Sequence, residues 1–105
     1  MSALVFMALY RPKPGKENEL KEILKVHIPV LREQGLITER ELLTLQAEDG
    51  TIIEIAEWKS SEAIDKAHQS EKVMAVWEQI GAVAELTNLS SLCEAQYPFP
   101  NFKAI

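Results

Sequence analysis

The chain has 105 residues, is 47% apolar and 26% charged, carries a net charge of −5 and contains one cysteine. That length organises a single core, and the acidic balance lacks the basic footprint that nucleic acid requires. No stretch approaches the roughly 18 apolar residues of a membrane span, and Cys93 alone excludes both an internal disulfide and a thiolate zinc cluster. These features point to a cytoplasmic protein with neither nucleic acid nor membrane as a partner, in which Cys93 serves as a small core hydrophobe.

Residues 3–10, "ALVFMALY", form a short apolar run that stops at "RPKPG". It lacks the basic region and cleavage-like end of a secretory leader, so it reads as a buried first strand. From Lys16 to Gln34, Leu20, Ile23, Leu24, His27, Ile28 and Leu31 recur at three- and four-residue spacing. This is an amphipathic helix, bent at Pro29 and capped by Gly35. "ELLTLQA" and "TIIEIAEW" flank Asp49-Gly50 and predict an antiparallel hairpin of strands two and three. Ser60 or Ser61 starts a second helix over residues 61–84, broken near Ser70. "LTNLSSLCEA" reads as a fourth strand, and "YPFPNFKAI" as an aromatic tail.

The order strand, helix, strand, strand, helix, strand predicts an α+β, ferredoxin-like βαββαβ domain with a four-stranded antiparallel sheet. The expected division is a domain over residues 1–96 and a tail over 97–105 that packs on the domain or on a partner protomer. The strands are apolar on both faces, with Val5, Met7, Leu9, Leu43, Leu45, Ile53 and Ile55 on the side away from the helices. A second apolar face needs another layer, and a second copy of the chain is the simplest supplier, giving a homodimer.

"KPGKENEL", "IPVLREQGL" and "EIAEWKSSEAIDKAH", in this order and spacing, resemble the antibiotic biosynthesis monooxygenase family of dimeric α/β-barrel proteins. The resemblance implies two sheets packed as a barrel and, in each protomer, a ligand pocket between sheet and helices. Transferred with the two-residue strand period, it puts Phe6, Ala8 and Tyr10 on the pocket side of the first strand, and Thr44 and Gln46 on that side of the second. Strand three adds Ile52, Glu54, Ala56 and Trp58, strand four adds Asn88 and Ser90, and the helices add His27 and His68. The haem-degrading branch of the family matches at Trp58 only. Its iron-ligating histidine falls on Trp77 and its first-strand asparagine on Tyr10, which argues against haem chemistry.

Glu54 lies between apolar neighbours on a sheet expected to be covered, where a carboxylate is costly unless paired or protonated. Imidazole exchanges protons readily near neutral pH, so His68, beside the apolar side of the second helix, is the leading candidate base, with Glu54 to orient it. Tyr10 or Asn88 would hydrogen-bond a substrate oxygen, and Trp58 would stack on its ring. His27 and His68 stand apart without metal-ligand spacing, and neither GxGxxG nor GxxxxGK[ST] occurs, so no metal or other cofactor is expected. The function expected is that of a cofactor-independent monooxygenase acting on a small aromatic phenol, quinol or anthrone. The alternatives are a non-catalytic dimeric binder of a small hydrophobic metabolite and a lactone isomerase on the same fold.

Overall fold

In the computed structural model, which describes residues 2–105, the first apolar run forms β1 (Leu4–Pro12) and the first amphipathic stretch forms α1 (Glu17–Glu33). The α1 stripe Leu20, Leu24, His27, Ile28 and Leu31 is buried, and the helix continues through Pro29 to Glu33. Gly35 ends it at φ +72°, a left-handed conformation that lets the Leu36 N–H reach back to the Leu31 carbonyl at 3.0 Å.

The hairpin pairs β2 (Leu43–Gln46) with β3 (Ile52–Trp58). Gly50 takes the left-handed position of the turn, and the Asp49 side chain accepts the Thr51 N–H at 2.9 Å. The second helical region is two helices, α2 (Ser61–Ala67) and α3 (Glu71–Val83), separated near Ser70 as the sequence predicts. Ser60 and Ser70 accept the N–H groups of Ala63 and Val73, each at 3.3 Å, as N-caps.

The sheet differs from expectation at its C-terminal end. Strand β4 (Ala84–Thr87) leaves α3 directly and keeps only the first two residues of the predicted strand over 86–95, the rest of which forms two 3-10 turns, Leu89–Ser91 and Cys93–Gln96. The cause is local polar bonding. Ser91 Oγ donates to the Asn88 carbonyl and Ser90 Oγ to Asn88 Oδ1, each at 2.8 Å, and these bonds compete with a strand ladder. Lys103–Ala104 forms an additional short strand, β5, on the free edge of β2, so the antiparallel order is β4-β1-β3-β2-β5 rather than four-stranded. The architecture remains ferredoxin-like, with three helices and one sheet.

Alternation along β1 and β3 divides the sheet as the sequence predicts. Tyr10, Ile52, Ala56 and Trp58 pack under the helices, and Leu9 and Ile53 lie on the opposite face. That outer face is covered in part by the chain itself: Leu92 and Phe102, brought over by the C-terminal segment, pack on Leu9, Ala47 and Ile53. Val5, Met7 and Leu43 on the same face remain 58%, 41% and 48% exposed. Of the tail aromatics, Phe102 therefore lies against its own sheet on the side away from the helices, whereas Tyr97 and Phe99 are exposed. Cys93 is exposed rather than in the core, with Sγ 3.5 Å from Glu48 Oε2. Hydrogen bonding to Glu48 raises the pKa of this thiol, aided by desolvation and the neighbouring carboxylates, which disfavours the reactive thiolate.

Candidate functional site

Between the helices and the sheet lies a cavity of about 330 Å³. Its floor is β1, from which Phe6, Ala8 and Tyr10 rise at the two-residue period, and Leu86 adjoins Tyr10 from β4. Trp58 closes one end, its ring 4.9 Å from Phe6. His27 and Leu31 descend from α1, Trp77, Ile80 and Gly81 from α3, and His68 enters from the end of α2. The walls are largely apolar, and none of these residues is a lysine, arginine or carboxylate. An aromatic body with few charges suits such walls, whereas a free anion would meet no lysine or arginine among them.

Beside the cavity the residues form a continuous hydrogen-bonded chain. The Tyr10 hydroxyl donates to Glu54 Oε1 at 2.8 Å, and His27 Nδ1 lies 2.9 Å from the same oxygen. Trp77 Nε1–H donates to His27 Nε2 at 2.9 Å. An indole N–H can only donate, so His27 Nε2 must accept and the imidazole proton sits on Nδ1, directed at Glu54. Glu54 is 1% exposed and His27 3% exposed, so the carboxylate is held by two donors in a site closed to water. Burial, followed by the charge and hydrogen bond of Glu54, raises the Tyr10 pKa well above the ordinary phenol value. Tyr10 thus keeps its proton and serves as a fixed donor.

This arrangement gives the histidines different capacities. His27 has both ring nitrogens engaged inside the protein, and the hydrogen on its Nε2 partner belongs to an indole, which does not exchange as a general acid. His68 is exposed, its Nδ1 lies 2.8 Å from the Ile64 carbonyl, and its ring meets Trp77 edge-on at 5.0 Å. A carbonyl only accepts, so Nδ1 carries the His68 proton and Nε2 is the nitrogen left to gain or lose one.

The site thus gathers Phe6, Tyr10, His27, Trp58 and His68 around one cavity, with Glu54 behind Tyr10 and His27. Glu54 bonds to His27 and Tyr10 instead of orienting His68. Thr44 stands opposite Glu54 on β2 but is not a cavity wall, and Asn88 and Ser90 lie beyond the end of β4, bonded to each other. Trp77 and Gly81, absent from the sequence-derived pocket, are walls. Trp77 had a signal in the sequence: an aromatic with a polar tip on the inner stripe of a helix needs a buried partner. Elsewhere among the described residues, Glu48, Cys93 and Glu94 place potential ligand atoms within 4.8 Å of one another at the opposite sheet face. Glu94 there accepts the Glu48 backbone N–H at 2.8 Å, which is a structural role.

Glu54→Gln tests whether the carboxylate holds these layers together. The amide loses the charge on both hydrogen bonds and turns an N–H₂ toward the position of Oε2, which has no protein partner. The expected loss is about 1.5–3 kcal/mol, the worth of hydrogen bonds to a charged group, read as a lower urea midpoint. An unchanged midpoint would show that the charge contributes nothing to the fold.

Residues 3–79 match the sequence model described as antibiotic biosynthesis monooxygenase. Among solved structures the chain resembles Rv0793 from Mycobacterium tuberculosis, with a TM-score of 0.65 and 20% identity over 82% of this chain and 91% of that one. A conserved protein from Methanosarcina mazei Go1 superposes with a TM-score of 0.64 and 21% identity, over 83% and 90% of the respective chains. At such identities the likeness is one of fold. No curated protein matches the chain. The match over residues 3–79, together with the ferredoxin-like sheet and its helix-side cavity, shows that the chain belongs to the antibiotic biosynthesis monooxygenase family.

Proposed function

We propose that the protein is a cofactor-independent monooxygenase whose substrate is a small aromatic phenol, quinol or anthrone-type compound. The observation that carries this reading is His68: its Nδ1–H is anchored on the Ile64 carbonyl, its other nitrogen has no hydrogen-bond partner among the described residues, and the residue lines a largely apolar cavity. Family membership supports the reaction class. In this mechanism His68 Nε2 takes the substrate proton, and the resulting electron-rich anion gives one electron to dioxygen. The substrate radical and superoxide combine as a peroxide anion, which takes the proton back from His68 to become a hydroperoxide; loss of the remaining hydrogen on the same carbon together with hydroxide, as water, breaks the O–O bond and leaves the new carbonyl. The apolar walls exclude the water that would quench the radical pair, and Trp58 and Trp77 flank the ring. Glu54 and His27 act as positioning residues through Tyr10 and Trp77, and Tyr10, its hydroxyl hydrogen committed to Glu54, contributes its ring to the floor.

A second reading keeps the same residues without oxygen chemistry, as a lactone isomerase or as a binder of a hydrophobic metabolite. Oxygen uptake with a panel of quinols and anthrones separates these readings. His68→Ala is expected to lower turnover by about 10²-fold or more, the usual worth of a positioned base, while leaving the circular dichroism spectrum unchanged. Undiminished turnover in this variant would remove His68 from the mechanism. Binding without uptake in the parent protein would favour the second reading.

The partner proposed for the outer sheet face is a second copy of the chain. Val5, Met7 and Leu43 form a mostly uncovered apolar surface beside Ile55, continuous with the part already sealed by Leu92 and Phe102. Sheet-on-sheet packing about a two-fold axis would bury that surface and continue the same core. Native mass spectrometry is expected to give twice the chain mass, and Met7→Lys to give a folded monomer. A monomeric parent protein would contradict the dimer.

A further inference from the structure

Three of the four glycines are explained by their backbone: Gly15, Gly35 and Gly50 have φ of +76°, +72° and +94°, which side chains rarely adopt. Gly81 is different. It lies within the last turn of α3 without a positive φ, where alanine would be favoured by helix propensity. Close packing does not account for it either, because a Cβ built there would meet no atom within 4 Å. The space beside it includes the cavity, which Gly81 lines together with Ile80 and the 76% exposed Leu86.

The cavity has direction. Phe6 and Trp58 mark one end of its floor, and Tyr10, paired across the sheet with Leu86, marks the other. Phe6 to Tyr10 spans four residues of strand, or about 13 Å at the extended rise per residue. His68 enters from α2, which follows Trp58, whereas Gly81 belongs to the end of α3 that leads into β4 and Leu86. A single six-membered ring would occupy only part of this length.

We propose that Gly81 is a specificity-determining residue: its missing side chain keeps open the Tyr10–Leu86 end of the cavity, so that the site accepts an aromatic ligand longer than one ring. This rests on the cavity being a ligand site, as in the function proposed above. The ligand's proton-bearing carbon lies towards His68 and an outer ring passes beneath Gly81. A Cβ at position 81 meets no heavy atom within 4 Å, so alanine there leaves the Tyr10–Glu54–His27–Trp77 chain in place, and a longer side chain shortens the cavity.

Anthrone and phenol, titrated anaerobically against the intrinsic fluorescence of Trp58 and Trp77, provide the test. Gly81→Leu is expected to weaken anthrone binding by about tenfold or more, the scale on which added methylenes discriminate in apolar pockets, while phenol binding stays within about threefold. Gly81→Ala is expected to raise the melting temperature and to weaken anthrone binding less, which keeps the test decisive if the larger substitution fails to fold. Anthrone binding unchanged in both variants would overturn the role of Gly81 and leave the cavity as a ligand site. Equal loss of both ligands would also overturn it, since the substitution would then act on the whole cavity. A parent protein that binds neither probe would overturn the cavity reading and this inference with it.

Discussion

The buried carboxylate of Glu54 is the constraint on which the other features depend. Removing an ionised group from water costs several kcal/mol unless hydrogen bonds replace its hydration. Glu54 sits in the middle of β3, 1% exposed, so its donors must come from neighbouring elements. Tyr10 supplies one from β1 and His27 the other from α1, and Trp77 then fixes His27 from α3. One carboxylate thereby ties two strands to two helices, and each link is directional. The apolar clusters around it specify that the layers pack; the polar chain specifies how they register.

The same chain divides the chemistry of the site. Groups capable of proton exchange are usually prominent when buried together, yet here the buried members hold one another still. Trp77 occupies the His27 nitrogen that would otherwise be free to accept a proton, and the hydroxyl hydrogen of Tyr10 is committed to Glu54. The mechanism proposed above therefore relies on His68, outside the chain, where a backbone carbonyl orients the exposed ring. Rigid walls and an accessible base are complementary requirements for proton removal in an apolar cavity.

Much of this fold was legible in the sequence because each local signal agreed with the next. Helix periodicity, the Ser60 and Ser70 caps, Gly35 and the Asp49-Gly50 turn all mark boundaries that the structure keeps. Alternation along β3 identified Glu54 as a buried carboxylate, but alternation reports only a face, and the choice of partner depends on how α1 and α3 cross that face. Hence alternation alone leaves Glu54 equally open to His68, and in the structure it is bonded to His27. The fourth strand is shifted and cut short for a different reason: the apolar spacing of "LTNLSSLCEA" suits a strand, but after Thr87 the groups of Asn88, Ser90 and Ser91 satisfy one another locally and turn the chain. That turn moved Asn88 and Ser90 away from the cavity and carried Leu92 onto the outer face, which the sequence had reserved for a partner.

Trp77 and Glu54 hold His27 as a fixed Nδ1–H imidazole, and the proposed assignment of the base to His68 depends on that restraint. Nitrogen chemical shifts of both imidazoles, recorded by long-range proton–nitrogen correlation near neutral pH, read this directly. The account predicts the Nδ1–H tautomer for His27 and a change in its Nε2 shift in Trp77→Phe. A His27 ring protonated at Nε2 would contradict it, because that nitrogen could not then accept the indole hydrogen bond.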